Sequence, residues 1–241
     1  TVLLAPVLRS IAYSVLVLTS VICCDLCNLE AEVNRLKAAG VTALHIDVLD
    51  GAFSPSLPVG LDTFLALSQR TDLPFDVHIM SNNNEWFIDK CIEMNPARIC
   101  FHCEGERHIA RMVSKIRSAG ISPGLAFAPA TSLEAGGYAL HDCDFILLMR
   151  IEPGYASVKN EKKFSYMRRK IQQCRQKLDS IQPGMGIVID GRVSFEDIPE
   201  LIEDGADTLV CGSKSIFASS DYAANYEKAR AIYRRALEEH K

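Results

Sequence analysis

Four side chains suited to holding a cation and moving a proton stand at the ends of short apolar runs. His45 and Asp47 close the run Thr42-Ala-Leu-His-Ile-Asp-Val48, His78 lies in Asp76-Val-His-Ile-Met80, and Asp190 ends Ile187-Val-Ile-Asp190. In an extended chain, residues two apart share a face, so His45 points with Asp47, and His78 with Met80. Two imidazoles and two carboxylates brought together form a donor set for Zn²⁺ or a similar divalent ion. Buried without a cation, such charges would be costly. One of these residues alone reads as a satisfied polar group at a strand end. Four delivered at the same end read as a site. Asp50 and Asp76 fall outside that argument and read equally as groups behind the ligands or as turn caps.

A second set of residues suits an anion. One strand runs into Gly191-Arg192, and the last ends Val210-Cys211-Gly212-Ser213-Lys214. Gly212 lets the backbone approach closely, Ser213 offers a hydroxyl, and Arg192 and Lys214 bring positive charge. A helix N-terminus after the last strand would add to a phosphate site of the kind eight-fold barrels use.

The elements that must position these groups alternate along the chain. Strands are expected at 15–22, 42–48, 75–80, 98–103, 123–128, 144–150, 185–190 and 207–211. Helices are expected near 26–39, 61–70, 84–94, 106–119, 132–140, 161–180, 194–204 and 221–239. Ala39-Gly40, Ala119-Gly120 and Asp204-Gly205 each close a helix just before a strand. Continuous apolar strands alternating with amphipathic helices imply a parallel sheet covered on both faces. At 241 residues a single-domain (β/α)8 TIM barrel over 15–241 is the economical solution, with 1–14 as an N-terminal extension. A doubly wound open sheet competes, but no glycine-rich phosphate fingerprint follows the first strand.

Composition excludes several roles. With 26 Lys+Arg against 30 Asp+Glu there is no basic surplus for a nucleic-acid backbone. Nine cysteines, an odd and scattered number, read as reduced thiols of a cytoplasmic protein rather than a secreted disulfide framework. The apolar start, Val2 to Cys24, invites a membrane or signal-peptide reading. It lacks a basic leader and a small-residue cleavage site, and Asp25 followed by Leu29, Val33 and Leu36 opens a helix instead. Membrane and nucleic acid are therefore not expected partners. Cys100 and Cys103, like Cys23, Cys24 and Cys27, read as small core residues. Trp86 and Phe87 read as core or as a subunit contact. His102, His108, His141 and His240 have no partner legible in the sequence.

From about Thr19 to Ala236 the chain resembles the ribulose-phosphate 3-epimerase family. The matching runs are Ser20-Val-Ile-Cys-Cys-Asp-Leu26, His45-Ile-Asp-Val-Leu-Asp-Gly51, Asp76-Val-His-Ile-Met80, Pro129-Ala-Thr131, Met149 with Glu152-Pro-Gly154, Asp190-Gly191 and Gly212-Ser213. The resemblance implies His45, Asp47, His78 and Asp190 as ligands of one divalent metal ion, Zn²⁺ first and Fe, Mn or Co as the alternatives. It implies Asp47 and Asp190 as the acid–base pair. Ser20, His78, Met80, Met149, Gly154, Gly191, Arg192, Gly212 and Ser213 are the implied contacts of a phosphorylated ketose. The implied reaction interconverts ribulose 5-phosphate and xylulose 5-phosphate: one carboxylate takes the C3 proton and the other returns one to the opposite face. A cytoplasmic homo-oligomer is implied as well.

The chain departs from the family pattern at the substrate-facing loops. Ala52 stands where His is usual, with Ser54 and Ser56 after it. Arg192 replaces a glycine, Ala128 an asparagine and Arg150 a small hydroxyl residue. Tyr155-Ala-Ser-Val-Lys159 replaces a glycine-rich loop. The turn Gly212–Phe217, one residue longer than usual, is similar to the allulose-6-phosphate 3-epimerase branch. Barrels that decarboxylate or aldol-cleave sugar phosphates carry an Asp-x-Lys-x-x-Asp run, and Asp47-Val-Leu-Asp50 has no lysine. A sugar-phosphate binder without activity would have lost an acid or a ligand, and none is lost.

Overall fold

Eight short strands pair in sequence order and close on themselves. The computed structural model describes residues 17–155 and 163–240. The strands are β1 Val17–Ser20, β2 Leu44–Leu49, β3 Phe75–Met80, β4 Arg98–His102, β5 Ser122–Phe127, β6 Phe145–Met149, β7 Gly186–Val193 and β8 Thr208–Cys211. All pairings are parallel, and β1 bonds to both β2 and β8, which closes the barrel. The described helices are α1 Leu29–Ala38, α2 Leu61–Ser68, α3 Asn84–Ile92, α4 Ile109–Ser118, α5 Met167–Ile181, α6 Ile198–Glu203 and α7 Tyr222–Glu239. The expected (β/α)8 TIM barrel is what forms.

Alternation along the strands sorts two apolar layers. Leu44, Ile46 and Val48 of β2 join the layer beneath the helices, as do Phe75, Val77 and Ile79 of β3. Leu18, Cys100, Ala126, Phe145, Leu147 and Val188 fill the barrel interior. The interior is packed around one large ring: a Cβ on Gly124 would lie 2.3 Å from Cζ of Phe145, so only glycine leaves space for it. With the inner face filled below, His45, Asp47, His78 and Met80 gather toward the mouth, and Asp76, the second residue of β3, lies deeper beside Arg98.

Several local expectations change. β1 ends at Ser20, and Val21–Cys23 forms a 3₁₀ turn. The segment after β5, Leu133–Asp142, forms 3₁₀ turns on either side of Gly137, whose φ of 51° is not helical, rather than an α-helix. Gly212 to Ala218 folds as tight turns without a regular helix, with Ser215 N and Phe217 N donating to the Gly212 carbonyl. The helix after β8 begins only at Tyr222, so its N-terminus does not lie at Gly212-Ser213. Trp86 is 48% exposed, so it is not a core residue. All nine cysteines are free. Among the described residues no helix is long and apolar enough to cross a membrane. The expected extension, 1–14, lies outside the described residues.

Candidate active site

The register of β2 on β3 sets the centre: Asp47 pairs with His78 and His45 with Asp76 as direct cross-strand neighbours. β7 supplies the remaining acid through an irregularity. Its pairing with β8 shifts between Ile189 and Val193, and within that bulge Gly191 has φ of 109° and Arg192 φ of 52°. Bulges beside active sites re-aim side chains, and this one delivers Asp190 to the same spot as Asp47.

Asp47 Oδ1 lies 3.2 Å from His45 Nε2 and 3.4 Å from His78 Nδ1. Asp190 Oδ2 lies 3.6 and 3.5 Å from the same two nitrogens. One ligand atom from each of the four residues lies within 4.8 Å of the others. Both histidines are fully buried, yet neither His45 Nε2 nor His78 Nδ1 makes a hydrogen bond. Orphaned buried nitrogens are expensive unless something else satisfies them. The imidazole–carboxylate separations match the edge of a tetrahedron with donors about 2.0–2.1 Å from its centre, an edge of about 3.3–3.4 Å. The residues fit a divalent cation.

The electrostatics agree. Burial opposes charge on His45 and His78, but Asp47 and Asp190 beside them raise both imidazoles above their usual range. Burial likewise opposes charge on Asp47 and Asp190, and the two imidazoles hold both carboxyls below theirs. The cluster is a place where two negative charges draw positive charge inward.

The outer nitrogens of both rings are also held. His45 Nδ1 is 2.5 Å from Asp76 Oδ2, and Asp76 accepts from Arg98 on its other oxygen. Burial would raise the Asp76 carboxyl, but Arg98 and His45 keep it low. This settles the open reading of Asp76: it stands behind His45. His78 Nε2 is 3.0 Å from His102 Nε2, and His102 Nδ1 is 2.9 Å from Glu104 Oε2. Burial keeps His102 below the usual imidazole range. Glu104 is opposed by burial, yet its bonds to His102, Thr131 and the Ala128 N–H bring it down to about 2. His102 and Glu104 were missed in the sequence. The available signal was that His102, the last residue of β4, and Glu104 just after it repeat the His-x-acid spacing of His45 and Asp47.

Above these groups lies a cavity of about 240 Å³. Of the residues singled out in the sequence, Ser20, Asp47, Met80, Met149, Gly154, Asp190, Gly191, Arg192, Gly212 and Ser213 line it. Ser20 Oγ donates to Asp47 Oδ2 at 3.0 Å. Gly154, at φ of 81°, sits so close to the β2 loop that a Cβ there would be 1.8 Å from Ser54 Oγ. His78 is fully buried below the cavity and is not part of its wall. Lys214 is exposed and does not line it either. Cys23, expected in the core, does line it, and burial, then the Asp47 charge, push its thiol up to about 11. It is no nucleophile at neutral pH.

Asp50, the other open acid, ties two loops at the mouth. One of its oxygens accepts from the N–H groups of Ala52 and Phe53, the other from Ser81 Oγ and the Asn82 N–H. Burial opposes its charge, and these four donors keep its carboxyl below the usual range.

Fold and site together define a class: a (β/α)8 barrel with two acids and two imidazoles converging under an apolar-walled mouth. The comparisons name it more closely. The model of the ribulose-phosphate 3-epimerase family matches residues 16–217. The chain is 34% identical over 196 residues to ribulose-phosphate 3-epimerase of Aquifex aeolicus, covering 80% of this chain and 85% of that one. It is 31% identical over 218 residues to the enzyme of the same name from Methanocaldococcus jannaschii, covering 90% and 91%. Among solved structures, thiamine phosphate pyrophosphorylase from Pyrococcus furiosus superposes with a TM-score of 0.60 at 16% identity, over 95% of this chain and 99% of that one, a likeness of fold alone. The chain belongs to the ribulose-phosphate 3-epimerase family, and with it to the isomerases that act on carbohydrates.

Proposed function

We propose that this protein is a metal-dependent 3-epimerase that interconverts ribulose 5-phosphate and xylulose 5-phosphate. The observation that carries the reading is the meeting of Asp47 and Asp190 around the orphaned nitrogens of His45 and His78, on the floor of the cavity.

His45, Asp47, His78 and Asp190 would hold the ion, Zn²⁺ first by its two-nitrogen, two-oxygen donor set. A bound divalent cation polarises the ketone oxygen as a Lewis acid. One carboxylate of the Asp47–Asp190 pair takes the proton from C3, and the C–H electrons move toward C2 and its oxygen as an enediolate. The other carboxylate returns a proton to the opposite face of C3, and the sugar leaves with that centre inverted. The Ser20 hydroxyl, bonded to Asp47 Oδ2, fixes how that carboxylate faces the sugar. Met80 and Met149 present thioethers that keep water from reprotonating the intermediate. The Gly191 and Gly212 backbone, the Ser213 hydroxyl and the Arg192 guanidinium receive the phosphate, with Gly154 part of the same wall. The family reading carries with it a cytoplasmic homo-oligomer, which sedimentation of the pure protein tests.

The test is C3 proton exchange in deuterated water with ribulose 5-phosphate and, beside it, allulose 6-phosphate. Wild type exchanges and inverts C3 fastest in the pentulose phosphate, and Asp190→Asn abolishes inversion at C3 while substrate still binds. Inversion surviving Asp190→Asn removes the two-carboxylate mechanism. Faster turnover of the hexulose phosphate moves the enzyme to the branch its longer turn after β8 resembles.

A further inference from the structure

The two inner histidines are anchored differently. His45 reaches a carboxylate directly, so with a cation bound its Nδ1 would carry the proton and its Nε2 would offer the lone pair. His78 reaches one only through another imidazole, and an imidazole can face its neighbour as donor or acceptor. The choice is made at the far end. Glu104 Oε2 faces His102 Nδ1 at 2.9 Å, and Oε1 accepts the Ala128 N–H at 2.7 Å. A carboxylate there can only accept, so His102 carries its proton on Nδ1 and offers a lone pair at Nε2. His78 Nε2, 3.0 Å away, must then be the donor, and its lone pair falls on Nδ1, the atom facing Asp47 and Asp190. The Phe53 ring packs on His102 at 4.9 Å, and neither histidine is exposed, so water does not compete for these contacts.

We propose that Glu104, acting through His102, fixes the tautomer of His78 and so presents its Nδ1 lone pair to the cation. His102 and Glu104 are positioning residues of the metal site, and the proposal rests on the cation reading of that site. Outer partners of this kind are worth about 10- to 100-fold in metal affinity.

Glu104→Gln separates this role from mere packing, because it keeps shape and reverses one bond. The Ala128 N–H is a fixed donor and claims the amide oxygen. The amide NH₂ then faces His102 Nδ1 and donates to it. The His102 proton moves to Nε2, His78 Nε2 becomes the acceptor, and the His78 proton arrives at Nδ1, where the cation would bind.

The experiment titrates metal-free wild type and Glu104→Gln with Co²⁺ alone, following its absorption bands, and ranks Zn²⁺ affinity by competition with a chelating dye. Wild type takes one ion per chain, and Glu104→Gln binds about 10- to 100-fold more weakly while its metal-free chain still unfolds cooperatively. Equal affinity within about threefold overturns the relay. Failure of wild type to take up either ion overturns the cation reading itself, a separate result. A variant that does not fold leaves the decision to ¹⁵N NMR of the Zn²⁺-loaded wild type: protons on His102 Nδ1 and His78 Nε2 support the relay, and a proton on His102 Nε2 refutes it.

Discussion

Replacing Asp76 by asparagine tests the outer wall of the site through stability alone. Asp76 is 3% exposed and accepts from both His45 and Arg98, while the Arg98 side chain is 7% exposed. Asparagine keeps the shape and one acceptor but removes the charge. Arg98 is then left buried against the face of Phe145, 4.6 Å away, with its Nη2 already lacking a partner. Removing one partner of a buried pair costs about 3–5 kcal/mol, and the acceptor that remains places this case near 3. For a chain of this length that is roughly 6–12 °C in Tm. Removing both charges, as Asp76→Asn with Arg98→Met, should recover at least about 2 kcal/mol of the loss, because an apolar replacement of a buried pair is often close to neutral. The assay is urea unfolding followed by far-UV circular dichroism on metal-free protein, so that ion binding does not enter the balance. A single variant within about 1 kcal/mol of wild type, or a double variant equal to the sum of its parts, refutes the buried-pair argument.

Two further outcomes follow from the geometry. Gly154→Ala puts a residue into left-handed backbone, about 1–2 kcal/mol, and drives a methyl into Ser54, so the urea midpoint falls by the equivalent of about 2 kcal/mol or more. Ser54→Gly in the same chain recovers the steric share, and no recovery means the β2 loop is not the obstacle. Glu104 titrates lower in the folded chain, about 2 against an ordinary 4.5, so its stabilisation is full above pH 4.5 and is lost as pH falls toward 2. On the order of 2–3 kcal/mol should vanish across that window, and Glu104→Gln should flatten that part of the stability–pH curve. Identical acid limbs for the two proteins would show that the carboxylate is not charged in its pocket.

The parts of this fold that were legible in sequence are those written in period and punctuation. Alternation separated His45 and Asp47 from Ile46 and Val48, and the barrel places them on opposite faces as expected. What escaped was decided by strand register, which no single strand encodes. Asp76 meets His45, and His78 reaches His102, only because β2, β3 and β4 pair as they do. The segment after β5 shows the other kind of failure. Leu133, Gly136 and Leu140 have helical spacing and are buried, but Gly136-Gly137 interrupts the helix that their spacing suggests. The turn after β8 failed similarly, since Gly212-Ser213 fits a helix cap while Ser215 and Ile216 instead turn inward and are buried.

Asp50 explains how this chain can diverge at its mouth yet keep its floor. Its anchoring of the β2 loop relies on main-chain amides, which every residue except proline supplies, so the hold does not depend on which side chain follows Gly51. Ala52 and Ser56, the latter in the cavity wall, can drift while the strand ends beneath stay fixed. Selectivity in this barrel is open to redesign one loop residue at a time, without disturbing the chemistry below.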